Sequence, residues 1–453
     1  MCALRIAVVG SGPAGIYAAE ALARADAQVD VLEVLPAPYG LVRYGVAPDH
    51  PKIKSIVRVL RRVLETPGVR FIGNVRYGVD VTLEQLRERY DAVLFATGSP
   101  NDRRLGIPGE DLAGSYPAVD FVSWYSAHPD VTGEFPLDAK SVAVIGAGNV
   151  ALDVARVLAK GAPGLATTDV PDHVLDALAG AATTDIHIIA RRGPAEAKFT
   201  QVELRELGEL PGVDLVVDPQ NLQLDDSGRA AVENRRQIRN MVELFTTWSQ
   251  RPLTGAPRRL HIHFLRRPVQ LLGTDRVEAV RLERLQLDGT GGVRGTGEEE
   301  ILPAELVIRS IGYRGAALPG LPFDEATGTI PNDHGRIEPG VYVAGWIKRG
   351  PTGVIGTNKA DAVDTVRTLL SDDLPAAGRD PDALLRLLES RDVPYVTWDG
   401  WLQLDAHELA LGQGQGRERV KVHQLETMLR FSRWNGSAGI PAPAERRSRS
   451  CPE

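Results

Sequence analysis

Two glycine-rich segments, each placed after an apolar run, carry the most specific chemistry in this sequence. The first is Gly10-Ser11-Gly12-Pro13-Ala14-Gly15, and the second is Gly146-Ala147-Gly148-Asn149-Val150-Ala151. Glycines at this spacing allow a tight turn and let the backbone approach a pyrophosphate at a helix N-terminus. Because each segment follows a strand pattern and opens a helical pattern, each predicts a dinucleotide-binding site.

Charge at the end of the next strand distinguishes the two cofactors. Glu33 ends the apolar run 29–33, and its carboxylate can accept both hydrogen bonds of a ribose diol. Arg191 and Arg192 follow the corresponding run 185–190. A guanidinium pair binds a 2′-phosphate through charge-assisted hydrogen bonds, whereas a carboxylate would repel it. We therefore predict FAD at the first segment and NADP at the second.

The residues that this assignment places against the two cofactors fall into two groups. Around FAD we expect Gly10, Gly12, Ala14, Gly15 and Glu33. Around NADP we expect Gly146, Gly148, Arg191 and Arg192, together with the residues that begin the helix facing the pyrophosphate, namely Asn149, Val150, Ala151 and Leu152.

Composition excludes several other classes of protein. The chain has 453 residues, 43% of them hydrophobic, and a formal net charge of −7, which fits two globular domains and argues against general nucleic-acid binding. Its two cysteines, Cys2 and Cys451, form no Cys-x-x-Cys motif, so we predict neither a redox disulfide nor a cysteine-ligated iron–sulfur cluster. No apolar run reaches membrane length and the first strand pattern begins near Leu4, so we expect a cytoplasmic protein.

No metal site is predicted. His261 and His263 alternate along a predicted strand and have the spacing of a pair of metal ligands. The sequence does not identify a third ligand. The same pattern is that of ordinary side chains on one face of a strand.

Strand and helix patterns alternate along most of the chain, which predicts an α/β protein with two Rossmann-like domains. We expect the NADP domain to be inserted in the FAD domain. The expected ranges are 1–102 and 310–438 for the FAD domain, 103–309 for the NADP domain, and 439–453 for a disordered tail rich in Pro, Ser, Ala and Arg. The strand-like stretches 302–311 and 341–344 are interpreted as the return to the FAD domain.

Three further segments resemble those of a known protein family. They are Tyr39-Gly40-Leu41-Val42-Arg43-Tyr44-Gly45-Val46-Ala47-Pro48-Asp49-His50-Pro51-Lys52, then Arg191-Arg192-Gly193-Pro194, and last Gly345-Trp346-Ile347-Lys348-Arg349-Gly350-Pro351-Thr352-Gly353-Val354-Ile355-Gly356-Thr357-Asn358. Together they resemble the ferredoxin–NADP reductases of the adrenodoxin-reductase type, including actinobacterial members. The resemblance covers roughly residues 4–430, and many other flavoproteins carry an acidic residue where this chain has Trp346.

The resemblance implies an enzyme that oxidises NADPH, stores the electron pair on FAD and passes single electrons to an iron–sulfur ferredoxin, often one that serves a cytochrome P450. It also implies roles for particular residues. His50 and Glu206 would lie beside the flavin and nicotinamide, where they would tune the reaction and relay a proton. Arg103 and Glu203 would contact NADP. The positions that would line the flavin are Leu41, Tyr77, Trp346, Gly353, Val354 and Ile355.

A basic cluster and two alternative functions stay open at this point. Arg235, Arg236 and Arg239 lie on a predicted helix, where they could dock an acidic ferredoxin or simply form a solvated face. One alternative is an electron-delivering flavoprotein like the small subunit of glutamate synthase. The other is a non-catalytic sensor in which FAD and NADPH only switch the conformation.

Overall fold

A computed structural model describes residues 3–131, 133–374 and 376–432 of the chain. The predicted tail 439–453 and both cysteines lie outside the described residues. The strands are β1 (Arg5–Val9), β2 (Gln28–Leu32), β3 (Val69–Gly73), β4 (Ala92–Phe95), β5 (Asn101–Asp102), β6 (Ser115–Pro117), β7 (Ser141–Ile145), β8 (Asp185–Ile189), β9 (Val213–Val217), β10 (Arg258–His263), β11 (Arg266–Leu272), β12 (Ala279–Leu287), β13 (Val293–Pro303), β14 (Leu306–Arg309), β15 (Tyr313–Arg314), β16 (Arg336–Glu338), β17 (Val341–Val343) and β18 (Val396–Thr397).

The helices alternate with these strands over much of the chain. They are α1 (Pro13–Ala23), α2 (Leu41–Tyr44), α3 (Pro51–Lys54), α4 (Val57–Leu64), α5 (Leu83–Arg89), α6 (Ala118–Tyr125), α7 (Asn149–Leu165), α8 (Asp172–Ala179), α9 (Gln201–Gly208), α10 (Asp226–Asn234), α11 (Arg236–Ser249), α12 (Trp346–Arg349), α13 (Ile355–Ser371), α14 (Ala383–Ser390), α15 (Trp398–Gln413) and α16 (Leu425–Phe431). Within the described ranges, no helix combines the length and the apolar composition needed to cross a bilayer.

The first sheet is built around β1 and has the strand order β16-β17-β4-β1-β2-β3-β18. Its five inner strands are parallel, and the edge strands β16 and β18 run antiparallel to their neighbours. Apolar residues fill β1 on both faces, because α1 and α13 cover one face of the sheet and α5 and α14 cover the other. This is the arrangement that the first glycine segment predicts.

The second sheet is entirely parallel and has the strand order β6-β14-β7-β8-β10-β9. Its larger core includes apolar residues of α6, α7 and α11 packed with those of the sheet. A smaller apolar cluster lies between the opposite face and the antiparallel sheet β11-β12-β13. The second glycine segment connects β7 to α7, so it occupies the same position in this sheet as the first segment does in its own.

Strand membership confirms that one nucleotide unit is inserted in the other. The first sheet takes its strands from both ends of the chain and the second sheet from the middle. The two crossing segments run side by side, because β5 pairs with β15 through Asp102 and Tyr313. The expected domain boundaries at 102/103 and 309/310 fall near this two-stranded ribbon and stay a prediction.

One assignment from the sequence was wrong. The stretches 302–311 and 341–344 were expected to return to the first sheet. The second does so as β17, which pairs with β4, but β14 lies between β6 and β7 in the second sheet. A short apolar strand suits the interior of either parallel sheet, so its pattern alone does not identify its neighbours. The chain reaches the crossing ribbon one strand later, at Tyr313.

A buried ion pair anchors the C-terminal region to the first domain. Glu408 on α15 is fully buried and accepts two hydrogen bonds from Arg43 on α2, at 2.9 and 2.6 Å. The same carboxylate also accepts from the backbone amide of Val422 at 2.9 Å. Arg43 is only 4% exposed, so its charge depends on this partner.

Replacement of Glu408 by Gln should therefore destabilise the protein strongly. Breaking a buried pair by removing one charge costs about 3 to 5 kcal/mol, because the other charge stays desolvated. The free energy of unfolding in urea measures the effect. The control is Glu418→Gln, since Glu418 is exposed; equal losses in the two variants would contradict the role of the pair.

Candidate functional site

The first glycine segment leaves an open face above the N-terminus of α1. Gly10 has a φ of +110°, and a Cβ there would lie 2.4 Å from the carbonyl oxygen of Ala96, so a larger residue does not fit. A Cβ on Gly12 would meet no atom within 4 Å. The segment is thus tightly packed at Gly10 and has open space beside Gly12. A dinucleotide pyrophosphate requires such an open approach to the backbone.

Glu33 has a second role that the sequence did not show. Its Oε2 accepts hydrogen bonds from the amide and the hydroxyl of Ser11, at 2.9 and 2.6 Å, and its Oε1 accepts from the amide of Leu35 at 3.2 Å. Burial raises the pKa of Glu33, and the bonds from Ser11 and Leu35 offset part of that rise. The carboxylate therefore fixes the glycine segment to the end of β2. Its remaining lone pairs can accept from a ribose diol.

The second glycine segment repeats this geometry at the N-terminus of α7. Gly146 has a φ of +150°, and a Cβ there would lie 2.1 Å from the carbonyl oxygen of Ser310, whereas a Cβ on Gly148 would meet nothing within 4 Å. The Oδ1 of Asn149 accepts a hydrogen bond from the amide of Thr200 at 2.9 Å. Ala151 and Leu152 are fully buried, so only their backbone amides are candidates for cofactor contact.

Arg191 and Arg192 follow β8 with exposed side chains. Neither side chain forms an ion pair or hydrogen bond with another residue in the described part of the chain. Arg192 lines an open cleft of about 520 Å³ together with Asn234 and Arg235. Both guanidinium groups are therefore available to a phosphate beside the second segment.

The late segment that resembles a flavin site packs directly on the first glycine segment. A Cβ on Gly345 would lie 2.7 Å from the Cβ of Ala14, so these two stretches of backbone are in close contact. The indole of Trp346 lies 5.7 Å from the ring of Tyr313, measured between ring centroids. Val354 precedes α13 and is 69% exposed, an apolar side chain that a flavin ring could cover. Gly353 is also exposed, while Ile355 is partly buried.

Three more residues are predicted to contact a cofactor. Leu41 begins α2 and is partly buried. The hydroxyl of Tyr77 donates to the carbonyl of Pro319 at 2.5 Å, and its ring meets Phe95 edge-on. Arg103 has an exposed side chain, and its amide donates to the carbonyl of Gly312 at the crossing.

His50 lies in a cluster that joins the two nucleotide units. Its Nε2 is 3.2 Å from Oδ1 of Asp153 and 2.5 Å from Nη2 of Arg156, both on α7. Its Nδ1 is 3.7 Å from Oε2 of Glu206 on α9. The neighbouring Asp49 accepts two hydrogen bonds from Arg156, at 2.7 and 2.9 Å. The structure thus brings His50 and Glu206 near each other, together with residues that the sequence did not single out.

The two neighbours of Nε2 require different tautomers of His50. A guanidinium only donates, so Arg156 can bond to Nε2 when that nitrogen carries no proton. The proton then resides on Nδ1, which faces Glu206. When Nε2 is protonated it donates instead to Asp153. His50 can therefore hold a proton on either side of its ring, which is what a relay residue needs.

Acidic groups surround His50 on more than one element. Glu203 offers a carboxylate oxygen within 4.8 Å of the ligand atoms of His50 and Asp153, and burial raises its pKa. Its Oε2 also accepts from the hydroxyl of Thr200 at 2.5 Å. Burial alone would raise the pKa of Asp49, but the bonds from Arg156 and Lys160 hold it well below its usual range. Asp49 is therefore ionised at neutral pH.

Asp153 and Arg156 are the functional candidates that sequence reasoning missed. They interrupt the apolar stretch Val150-Ala151-Leu152-Asp153-Val154-Ala155-Arg156-Val157-Leu158 inside α7, and Arg156 is fully buried. A charged residue on the buried face of a helix needs a partner. That rule singles out Arg156 from the sequence, but it does not identify Asp49, which lies 107 residues away.

The structure also supplies the third histidine that the sequence argument lacked. His187 on β8 offers a ring nitrogen within 4.8 Å of ring nitrogens of His261 and His263 on β10. Burial and the neighbouring imidazoles lower the pKa of His187 to about 3 and that of His263 to about 4. These histidines lie on paired strands, so the strand alternation of residues 185–189 and 258–263 could have revealed them.

Known proteins match the chain over nearly its whole length. The family described as pyridine nucleotide-disulphide oxidoreductase matches residues 4–218. The NADPH-ferredoxin reductase FprA of Mycobacterium tuberculosis is 47% identical over 450 residues, covering 94% of this chain and 98% of that protein. The mitochondrial NADPH:adrenodoxin oxidoreductase of Arabidopsis thaliana is 38% identical, covering 94% of this chain and 95% of that protein.

A solved structure supports the same relationship. Mycobacterium tuberculosis FprA in complex with NADPH superimposes with a TM-score of 0.90 at 46% identity, covering 95% of this chain and 99% of that chain. Both glycine segments, Glu33 and the two arginines lie within the matched family range 4–218. The open space beside Gly12 and Gly148 leaves room at each segment for a dinucleotide pyrophosphate.

Replacement of Glu33 by Ala should weaken the retention of FAD. The variant loses the ribose acceptor and also the bonds that fix Ser11 to the end of β2. Flavin absorbance per mole of protein after dialysis measures the effect, with the exposed Glu209→Ala as control. If the Glu33 variant holds as much flavin as the wild type, the first segment has been assigned to the wrong nucleotide.

Proposed function

The chain belongs to the adrenodoxin-reductase-type family of NADPH-ferredoxin reductases, and from this membership we propose that it carries electrons from NADPH through FAD to an iron–sulfur ferredoxin. One observation carries the proposal beyond the names of the relatives. The His50 cluster contains residues from both nucleotide units, which supports a proton-relay site between the two expected cofactors. A sensor that only binds nucleotides has no need of such a site.

The chemistry is divided between the cofactors and the chain. When bound, NADPH supplies a hydride and FAD accepts it and returns two electrons singly. The chain supplies binding, orientation and proton handling. Glu33 and the first segment would hold FAD, and Arg191 and Arg192 would bind the 2′-phosphate of NADPH.

The residues around His50 fix the position of its imidazole ring and determine which ring nitrogen carries the proton. Asp49 and Asp153 hold Arg156, and Arg156 in turn fixes the imidazole through Nε2. Nδ1 lies 3.7 Å from Oε2 of Glu206, a gap that a small side-chain rotation would close to hydrogen-bond distance, and the Glu206 side chain is 43% exposed to solvent. We propose that His50 and Glu206 relay the proton that accompanies hydride transfer, whereas the hydride itself needs alignment and no protein nucleophile.

The proposed dock for ferredoxin is the basic cluster of Arg235, which lies between α10 and α11, with Arg236 and Arg239 on α11. Arg235 and Arg236 are exposed, so they can attract an acidic partner to a protein whose net charge is −7. Arg239 is partly engaged, because its guanidinium donates to the carbonyl oxygens of Val232 and Glu233. Arg235 also lines the cleft beside Arg192, so it lies close to the expected NADP site. The cytoplasmic location and a downstream cytochrome P450 belong to this proposal as well.

Stopped-flow reduction of the purified yellow protein tests the proposal directly. NADPH should bleach the flavin absorbance, and a ferredoxin should restore it when mixed with the reduced enzyme. Steady reduction of ferricyanide by NADPH separates an enzyme from a sensor. If NADPH leaves the flavin oxidised, or if reduced enzyme transfers electrons to no ferredoxin of a broad panel, the proposed activity is wrong.

Neutral substitutions at both Arg191 and Arg192 should raise the KM for NADPH strongly and change the KM for NADH little. Two charge-assisted bonds at about 1.5 to 3 kcal/mol each correspond to a loss of binding on the order of a hundredfold or more. Steady-state kinetics of the Arg191→Gln/Arg192→Gln variant measure it, and the exposed Arg294→Gln is the control. Unchanged NADPH kinetics would remove these arginines from the site.

Substitution of His50 or Glu206 should slow the reduction of FAD more than it weakens NADP⁺ binding. General acid–base assistance contributes about 10²- to 10⁴-fold, and hydride transfer needs no protein proton, so we expect a modest effect from His50→Gln. Glu206→Ala should affect the same step, and the double variant should be less than additive because the two residues act together.

Single-turnover flavin bleaching of the wild type, both single variants and the double variant measures this coupling. Glu209→Ala is the matched control, since Glu209 immediately follows α9 and is exposed. Strictly additive effects would mean that His50 and Glu206 do not share a relay. No effect at all would leave His50 as a loop residue and Glu206 as part of a solvated helix face.

A further inference from the structure

Three histidines converge on one face of the second sheet, outside the His50 cluster. The parallel strands β8 and β10 are paired so that His187 lies directly beside His261. Side chains alternate along a strand, so His263, two residues after His261, lies on the same face. The histidines therefore come from two adjacent strands of a sheet, which is a rigid support.

The distances between their ring nitrogens are those of a compact ligand set. One ring nitrogen from each histidine lies within 4.8 Å of the other two. Nδ1 of His187 is 3.0 Å from Nε2 of His263. A zinc ion bound at 2.0 to 2.1 Å would separate tetrahedral ligand nitrogens by roughly 3.3 Å, so small rotations of the rings suffice.

A carboxylate orients one of the three rings. Nε2 of His261 lies 2.9 Å from Oδ1 of Asp185, two residues before His187. Arg259 holds the same carboxylate through Nε at 2.8 Å. If Nε2 donates to Asp185, Nδ1 of His261 keeps its lone pair for a ligand. A histidine held by a carboxylate in this way is the usual outer support of a metal-binding imidazole.

We propose that His187, His261 and His263 bind one divalent transition-metal ion of the zinc class, with Asp185 as the orienting carboxylate. Three imidazoles suit Zn²⁺, and a water molecule would complete four-coordinate geometry. The ion would cross-link β8 to β10. Because Arg191 and Arg192 follow β8 after one residue, Ala190, the cross-link would stiffen the strand that presents them.

Metal titration of the tag-free, FAD-loaded protein tests the proposal. After treatment with a chelator and dialysis, Zn²⁺ binding is measured by calorimetry and Co²⁺ binding by its visible absorption. We expect one equivalent to bind and to raise the melting temperature. His187→Asn and His263→Gln should each weaken binding by at least about a hundredfold, and Asp185→Asn by about 10- to 100-fold.

Two controls use histidines elsewhere in the chain. His334 is exposed, and His334→Gln should bind metal like the wild type. His50 shares a possible ligand cluster with Asp153 and Glu203, so His50→Gln separates that cluster from the one proposed. Far-UV circular dichroism and flavin content establish that each variant folds. Because His263 is less buried than His187, His263→Gln is the variant to use if His187→Asn does not fold.

The results that would overturn the site are specific. Wild-type protein that binds neither Zn²⁺ nor Co²⁺ would show that the histidines form only a hydrogen-bonded stack. Binding that survives both His187→Asn and His263→Gln, or that is lost in His50→Gln, would place the metal elsewhere. None of these outcomes depends on ferredoxin reduction, so the site can fail while the proposed function stands.

Discussion

Arg156 brings a positive charge into the protein interior at the contact between the two nucleotide units. Its side chain is fully buried, and its neighbours are Asp49 and His50 from the first unit and Asp153 from its own helix. A buried guanidinium is strongly destabilising unless carboxylates surround it in good geometry. Relative positions of the two units that separate Asp49 from Arg156 are therefore unfavourable. The alignment of the cofactor sites and the orientation of His50 both depend on this arrangement.

A second group of ion pairs also joins the two nucleotide units, and one of its members lies near the C-terminal end of the described chain. Asp169, from the segment between α7 and α8, contacts Lys54 at 2.6 Å and Lys421 at 3.0 Å. Burial alone would raise the pKa of Asp169, but the two lysines hold it well below its usual range, while burial lowers the pKa of Lys421 to about 7. These contacts between the units are thus charged where each unit's own core is apolar. Separating these charges would leave them buried without partners, so the contacts favour one arrangement of the two units.

The sequence predicts those parts of the site whose cause is local. Glycine spacing, the charge of Glu33 and the two arginines follow from backbone and phosphate chemistry within a single strand-helix-strand unit. The partnership of Asp49 with Arg156 and the strand order around β14 could not be predicted, because each depends on how distant segments pair. Glu33 illustrates the difference within one residue: the ribose role follows from its position, whereas its bonds to Ser11 follow only from the folded turn.

The pairing of β5 with β15 has a consequence for chain entropy. About 210 residues separate Asp102 from Tyr313, and closing a flexible loop of that length costs on the order of 5 kcal/mol. In this protein the two ends of that long segment leave the middle unit side by side, so a folded middle unit presents them already joined. For the outer unit, the folded insertion is then equivalent to a short connection between Asp102 and Tyr313. Its sheet can assemble from both ends of the chain with little of the entropic cost that their separation in sequence would suggest.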